Sequence, residues 1–336
     1  MKRVKLGFAG IQVDFTDRES ALKLVENWAR EGVVKVQVVY GPEGCGKTAW
    51  LRQSAEILRE LGFNVIYVNP IERKFLAEVG VASLRSRFQE LVNSVISQGA
   101  LTKLAWLAID FARELIKTCR GKIAVIVDDA FQVMGVRESA LYVKALLNLI
   151  EYPPEQYEKI VVIAATSEDV SKEEIGRHRW ASIKPMWNMP KDGFRQLLEY
   201  LPGEKPRFED VWRVTGGNPK ALEELYKASW NAKKLVNDLV ESRKLRLFVK
   251  SLSNGERAWL LEAVEDPDTL FTRERMQLMR KLVELNMIVD DVPKREGDLW
   301  VDEPPPEKDS ELGIGKHVAW QTPLHREAIR KALETT

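Results

Sequence analysis

Residues 36–58 read VQVVYGPEGCGKTAWLRQSAEIL, and most of the fold class can be read from them. A β-branched run ends at Tyr40, GPEGCGKT matches G-x-x-x-x-G-K-[ST], and a helical pattern begins at Lys47. Strand, glycine loop and helix in that order form a cradle. Successive backbone N–H groups converge there on a phosphate at the positive end of a helix. Lys47 would reach the β- and γ-phosphates of a nucleotide, and the Thr48 hydroxyl would ligate Mg²⁺. Gly41, Pro42, Glu43, Gly44, Cys45, Gly46, Lys47, Thr48 and Ala49 are therefore the candidate nucleotide contacts.

Outward from this loop, short apolar runs alternate with longer helical patterns. The runs at 33–40, 64–70, 122–129 and 159–167 read as strands, with a weaker one at 181–187. Apolar residues recur at helical spacing over 49–61, 84–97, 101–119 and 138–150. Near-continuous apolar strands separated by helices predict a parallel sheet covered on both faces. Residues 1–187 thus read as an α/β nucleotide-binding domain.

A Mg²⁺ held by Thr48 requires a carboxylate at the tip of another central strand. IAVIVDD places Asp128 and Asp129 directly after five apolar residues, where two acids are costly unless they face a cation or water. Asp128 is the candidate for the metal, through water, and Asp129 for orienting or deprotonating an attacking water. Asp128 as a strand-end helix cap is the plainer alternative. Asn69, ending the second strand, is a candidate sensing residue near Asp129.

From about 190 the strand signal stops. Helical patterns broken at Pro202–Pro206 and Gly216–Pro219 predict a small helical lid over 188–240. Helices at 241–266 and 271–285 are succeeded by three strand candidates, NMIVDD, DLWVDE and HVAWQT, and by a last helix from Pro323. That order predicts a winged helix over 241–336. The Pro-rich EPPPEKDSELGIG, 303–315, reads as a long loose loop.

Composition bounds the function. At 45% hydrophobic and 30% charged residues over 336 positions, the chain is globular rather than disordered. A net charge of +1 announces no polyanionic partner. The two cysteines have no metal or disulfide spacing, and no apolar stretch reaches membrane-spanning length. A reducing cytoplasmic setting without membrane contact is the expectation.

Taken together, the motifs resemble the archaeal ATPase family within the AAA+/STAND division of P-loop NTPases, related to the archaeal homologues of origin-recognition initiators. FTDRESALKLVENW (15–28), GPEGCGKT, VIVDD, AATSE, GRHRW and TGGNPKAL carry the resemblance, in that order along nearly the whole chain. It implies ATP or ADP with Mg²⁺ as cofactors and an AAA+-like parallel sheet with a lid and a winged helix after it. By position, Asp17 and Arg18 would lie near the adenine and ribose, although TDRE also reads as a helix cap. Thr166 and Ser167 take the place of a sensor, where many relatives carry Asn, so slow hydrolysis is expected, or else they form a simple turn after a strand. Arg177 and Arg179 are arginine-finger candidates, acting in cis or in trans, or else a solvated charge run. Pro219 would start a helix whose N-terminus faces the phosphates, with Lys220 adding charge, or would simply belong to a capped helix start.

Three uses of the nucleotide stay open: a switch toward a protein partner or a second copy, an ATP-gated DNA-binding protein, and a scaffold that holds nucleotide without turnover. The helix at 272–285 offers Arg273, Arg275, Arg280 and Lys281 to DNA. Against that, 241–336 holds 16 Lys/Arg and 19 Asp/Glu, so no basic stripe dominates the region.

Overall fold

The computed structural model describes residues 2–166 and 174–335. The chain forms two compact units. The first is built mainly from Glu19–Tyr40 and Lys47–Pro185, the second from Lys5–Arg18, Gly41–Gly46 and Met186–Thr336. A hairpin not anticipated from the sequence, β1 (Lys5–Phe8) and β2 (Ile11–Asp14), therefore belongs to the second unit. So does the glycine loop itself.

In the first unit, α1 (Glu19–Glu31) precedes β3 (Val36–Tyr40) and α2 (Lys47–Glu60). Then come β4 (Asn64–Asn69), β5 (Lys74–Glu78), α3 (Ala82–Ser97), α4 (Leu101–Cys119), β6 (Lys122–Asp128), α5 (Val136–Glu151), β7 (Lys159–Ala165) and β8 (Ala181–Pro185). The six strands lie in the order β5-β4-β6-β7-β3-β8. All neighbours are parallel except the edge strand β5, which runs antiparallel to β4. β6 and β7 are buried from their second residue onward. That is why their Val/Ile runs are continuous rather than alternating. α4 lays its apolar face, from Leu104 to Ile116, against β4 and β6.

In the second unit, α6 (Lys191–Tyr200), α7 (Phe208–Thr215) and α8 (Pro219–Lys227) share a core with Val13 and Leu324. α7 stops because Gly216 takes a left-handed conformation, and α8 restarts two residues later under an Asn218 cap. α9 (Ala232–Ser242), α10 (Leu245–Ser251), α11 (Asn254–Glu265), α12 (Met276–Glu284) and α13 (Pro323–Glu334) surround a core centred on the fully buried Trp320. A two-stranded antiparallel ribbon, β9 (Ile288–Val289) with β10 (Ala319–Trp320), completes it.

Two expectations for this region are corrected. DLWVDE is not a strand: a 3₁₀ turn covers Gly297–Leu299, and Trp300 is buried with its indole N–H donating to Lys294 O. The Pro-rich 303–315 is not loose either. Asp309 pairs with Ile314, Arg326 donates to the carbonyls of Ser310 and Glu311, and the Asp268 carboxylate accepts from the N–H groups of Lys316, His317 and Val318. Composition registers prolines but not these long-range bonds. Among the described residues no helix is long and apolar enough to cross a membrane.

Candidate functional site

In the first unit the chemistry gathers at the ends of β4 and β6 and the start of α2. Asp128 ends β6 and is only 1% exposed. Its Oδ2 accepts from the Tyr67 hydroxyl at 2.7 Å and from Asn69 Nδ2 at 3.1 Å. Its Oδ1 is buried with no hydrogen-bond partner. Burial pushes the Asp128 carboxyl above its usual range, against the pull of its hydrogen bonds from Tyr67 and Asn69 and of the neighbouring Thr48 hydroxyl. Asp129 leaves the strand in a left-handed conformation, φ +50°. Burial and the neighbouring Asp128 charge push it up to about 6, while Lys47 opposes the rise.

An orphaned, buried carboxylate oxygen beside the Thr48 hydroxyl fits a divalent cation. Among the described residues no group of three or more His, Cys, Asp or Glu is placed to hold a metal. A cation here would therefore take its remaining ligands from nucleotide and water.

The other candidates of this unit lie apart. Thr166 is buried, and its N–H donates to Val39 O at 2.9 Å, prolonging the β3–β7 ladder toward the loop end of the sheet. Ser167 lies outside the described residues. Arg177 is exposed and pairs with Glu174 at 2.8 Å, and Arg179 is exposed. Both precede β8, whose first residue Ala181 stands opposite Val36 while Pro185 stands opposite Tyr40. They thus precede the end of β8 that pairs with the start of β3, at the opposite end of these strands from Tyr40.

In the second unit the glycine loop is held from several sides. A side chain at Gly44, φ +76°, would overlap Lys220 Cβ and Asn218 Oδ1, so only glycine permits this approach. Asn218 caps α8 through Ala221 N–H and donates to Glu43 O at 2.9 Å and to Asn188 Oδ1 at 2.8 Å. Pro219 occupies the first turn of α8, as expected of a capped start. Gln321 Oε1 accepts from Glu43 N–H at 2.9 Å. The Glu43 carboxylate accepts from Arg243 at 2.6 Å and Asn286 at 2.7 Å.

Arg18 takes a place that its sequence context did not suggest. It is 3% exposed and forms an ion pair with Asp302 at 2.8 Å. It also donates to Cys45 O at 2.6 Å and Trp187 O at 3.0 Å. The guanidinium fastens the loop to protein groups rather than lying open to a base or ribose. Asp17 packs against Gly193, where a side chain would collide with its carboxylate. Asn188, Asn218, Arg243, Asp302, Gln321 and Tyr67 were not identified from sequence as site residues. For Asn218 a signal existed in the Asn-Pro helix start; for the others nothing local marks them.

His325 lies at the Glu43 end of this network, its Nδ1 2.8 Å from Thr322 Oγ1. Burial and the nearby Arg243 charge push it down to about 4, with Glu43 opposing. The folded state therefore holds the neutral ring, while the unfolded chain protonates near 6.5. Its contribution is complete above about pH 6.5 and is lost as pH falls toward 4, a change of about 1–3 kcal/mol. His325→Gln should flatten urea-unfolding stability across that window. An unchanged slope would show that other groups control it.

Residues 15–225 match the model of a family described as an ATPase domain predominantly from Archaea. No curated protein sequence matches the chain. Among solved structures, Cdc6p from Pyrobaculum aerophilum is similar at 14% identity over 95% of this chain and 94% of that one, with a TM-score of 0.40. The Aeropyrum pernix Orc1 protein in complex with DNA gives 16% over 96% and 93%, TM-score 0.36. AMPPCP-bound DnaA from Aquifex aeolicus gives 14% over 79% and 77%, TM-score 0.38.

Proposed function

The chain belongs to the family of ATPase domains found predominantly in Archaea, and from that premise we propose that this ATPase is a nucleotide-driven switch acting on a macromolecular partner. The supporting observation is the company kept by the loop Gly41–Gly46. Its backbone and the Glu43 side chain are bonded by Asn218, Gln321, Arg243, Asn286 and Arg18, all in the second unit. A nucleotide that draws on the loop's N–H groups competes with or reorders those bonds, and the C-terminal helices feel it directly.

In this reading Lys47 places its charge on the β- and γ-phosphates, and Asp129 orients or deprotonates the attacking water. Thr48 and Asp128 would hold Mg²⁺, which supplies Lewis-acid neutralisation of phosphate charge. Thr166, just past the end of β7, would help to hold that water with its hydroxyl. Asp129, shorter than a Glu, favours slow turnover suited to a timer rather than a motor.

Arg177 and Arg179 precede the end of β8 that pairs with the start of β3, and this favours a finger role toward a second copy over one in cis. ATP turnover per subunit should then rise with protein concentration, with Lys47→Ala as the blank, and Arg177→Ala/Arg179→Ala should hold it at the low, dilute rate. The prediction fails if turnover is flat with concentration and indifferent to both replacements; that result leaves a monomeric switch. Absence of turnover above the blank would leave a nucleotide-holding scaffold.

The partner is read as protein rather than DNA. Arg275, just before α12, pairs with Glu262 at 2.6 Å and lies over Trp259, while Lys281 on α12 pairs with Glu256 at 2.9 Å. Half of the candidate basic stripe is thus neutralised by α11, which weakens phosphate tracking. ATP-dependent, salt-sensitive DNA binding would reverse this preference.

A further inference from the structure

We infer that Tyr67 is a positioning residue for the metal-binding carboxylate, fixing which oxygen of Asp128 meets the cation. The inference rests on the reading of Asp128 as the Mg²⁺ carboxylate and adds a residue to it. Tyr67 lies on β4, fourth in the strand, and is 2% exposed. β4 and β6 pair in parallel with Tyr67 opposite Ile126. Its ring therefore runs alongside the end of β6, and its hydroxyl reaches Asp128 Oδ2 at 2.7 Å.

Asn69 adds a second donor to the same oxygen at 3.1 Å. Both hydrogen bonds fall on Oδ2, and Oδ1 is left buried without a partner. A carboxylate held in this way cannot rotate to exchange its two oxygens without breaking both bonds. It presents one oxygen, in one direction.

The chemistry of the donor matters. An arginine bonded directly to Asp128 would cancel the charge that a cation needs. A phenol donates a hydrogen bond while remaining neutral, so the full negative charge stays available. The compensating cation stands one step back. Arg52 of α2 neighbours the Tyr67 side chain and pairs with Glu72 on its other side. Glu72 N–H in turn donates to Asn69 Oδ1 at 2.9 Å, which orients the Asn69 amide with its NH₂ toward Asp128. Glu72, Arg52, Tyr67 and Asn69 thus close a ring of contacts behind Asp128, supplied by β4, α2 and the turn after β4.

The test measures Mn²⁺ as the probe cation, by the free-Mn²⁺ electron paramagnetic resonance signal, on the full chain with saturating ADP. ADP affinity in EDTA is measured beside it. Tyr67→Phe is expected to weaken Mn²⁺ binding about 10–100-fold, as loss of an outer-shell partner does, while ADP affinity without metal is unchanged. Arg52→Met, which leaves the Asp128 hydrogen bonds in place, should weaken it in the same direction by a smaller factor. Asp128→Asn is the reference. If Asp128→Asn weakens Mn²⁺ binding and neither Tyr67→Phe nor Arg52→Met does, the positioning role is overturned and the metal reading stands. If Asp128→Asn also leaves Mn²⁺ binding unchanged, the metal reading itself fails. A purely structural Tyr67 would lower the melting temperature in EDTA without altering Mn²⁺ affinity.

Discussion

Arg18→Ala is expected to lower the unfolding free energy by about 3–5 kcal/mol, the usual cost of stranding one member of a buried ion pair. Asp302, 5% exposed and 284 residues away in sequence, would be left in the interior without its cation. The carbonyls of Cys45 and Trp187 would each lose a donor, at about 1 kcal/mol apiece. Urea unfolding monitored by tryptophan fluorescence gives the number. The double replacement Arg18→Met/Asp302→Leu separates the contributions. Removing both charges should recover most of the ion-pair share and leave roughly the cost of the two carbonyls, about 1–2 kcal/mol. A single replacement costing under about 1 kcal/mol would mean the pair is open to water in solution. The same variant also frees the glycine loop from one anchor, so its nucleotide exchange should be faster than wild type at temperatures where it stays folded.

Lys47→Ala should lower ATP turnover by at least about 10²–10³-fold, the scale set by removing one preorganised electrostatic group from a charged transition state. Lys47 is 6% exposed at the first turn of α2, held next to the loop by the chain itself. On the proposed role its charge would meet the γ-phosphoryl with little reorganisation. Lys47→Arg is not expected to rescue turnover, because a planar fork does not substitute for a compact ammonium in a tight cradle. Phosphate release by a single-turnover assay is the measurement. Wild-type rates in Lys47→Ala would place the hydrolysis elsewhere or in a contaminant, and would remove the basis for assigning roles to Thr48, Asp128 and Asp129.

The sheet was legible because its signals are local. VQVVY, NVIYVN, KIAVIVD and KIVVIAA are rich in apolar residues that two faces of helices must cover, and each became a strand close to its expected ends. β5 and the β1–β2 hairpin escaped notice because four or five alternating residues beside a turn do not stand out from loop sequence. DLWVDE failed in the opposite sense. Its apolar residues are buried by tertiary neighbours, Trp300 against Trp187, rather than by a sheet. The Pro-rich 303–315 misled through composition, since a loop tied down by Arg326 and Asp309 looks in sequence like one that is not.

The sequence by itself determined the glycine loop between a strand and a helix, the paired carboxylates at a strand tip, the parallel α/β class and the helical character of the chain beyond residue 190. Each of these is written in residues a few positions apart, where backbone sterics and hydrophobic periodicity act. Only the tertiary structure decided that Gly41–Gly46 is bonded to the C-terminal unit, that Arg18 answers Asp302, that Tyr67 holds Asp128, and that Arg177 and Arg179 precede the end of β8 that pairs with the start of β3. Those facts join positions tens to hundreds of residues apart, whose meeting depends on how every intervening element packs. A hydrogen bond between such residues leaves no period and no spacing in the chain, because its partners become neighbours only after the cores around them have formed.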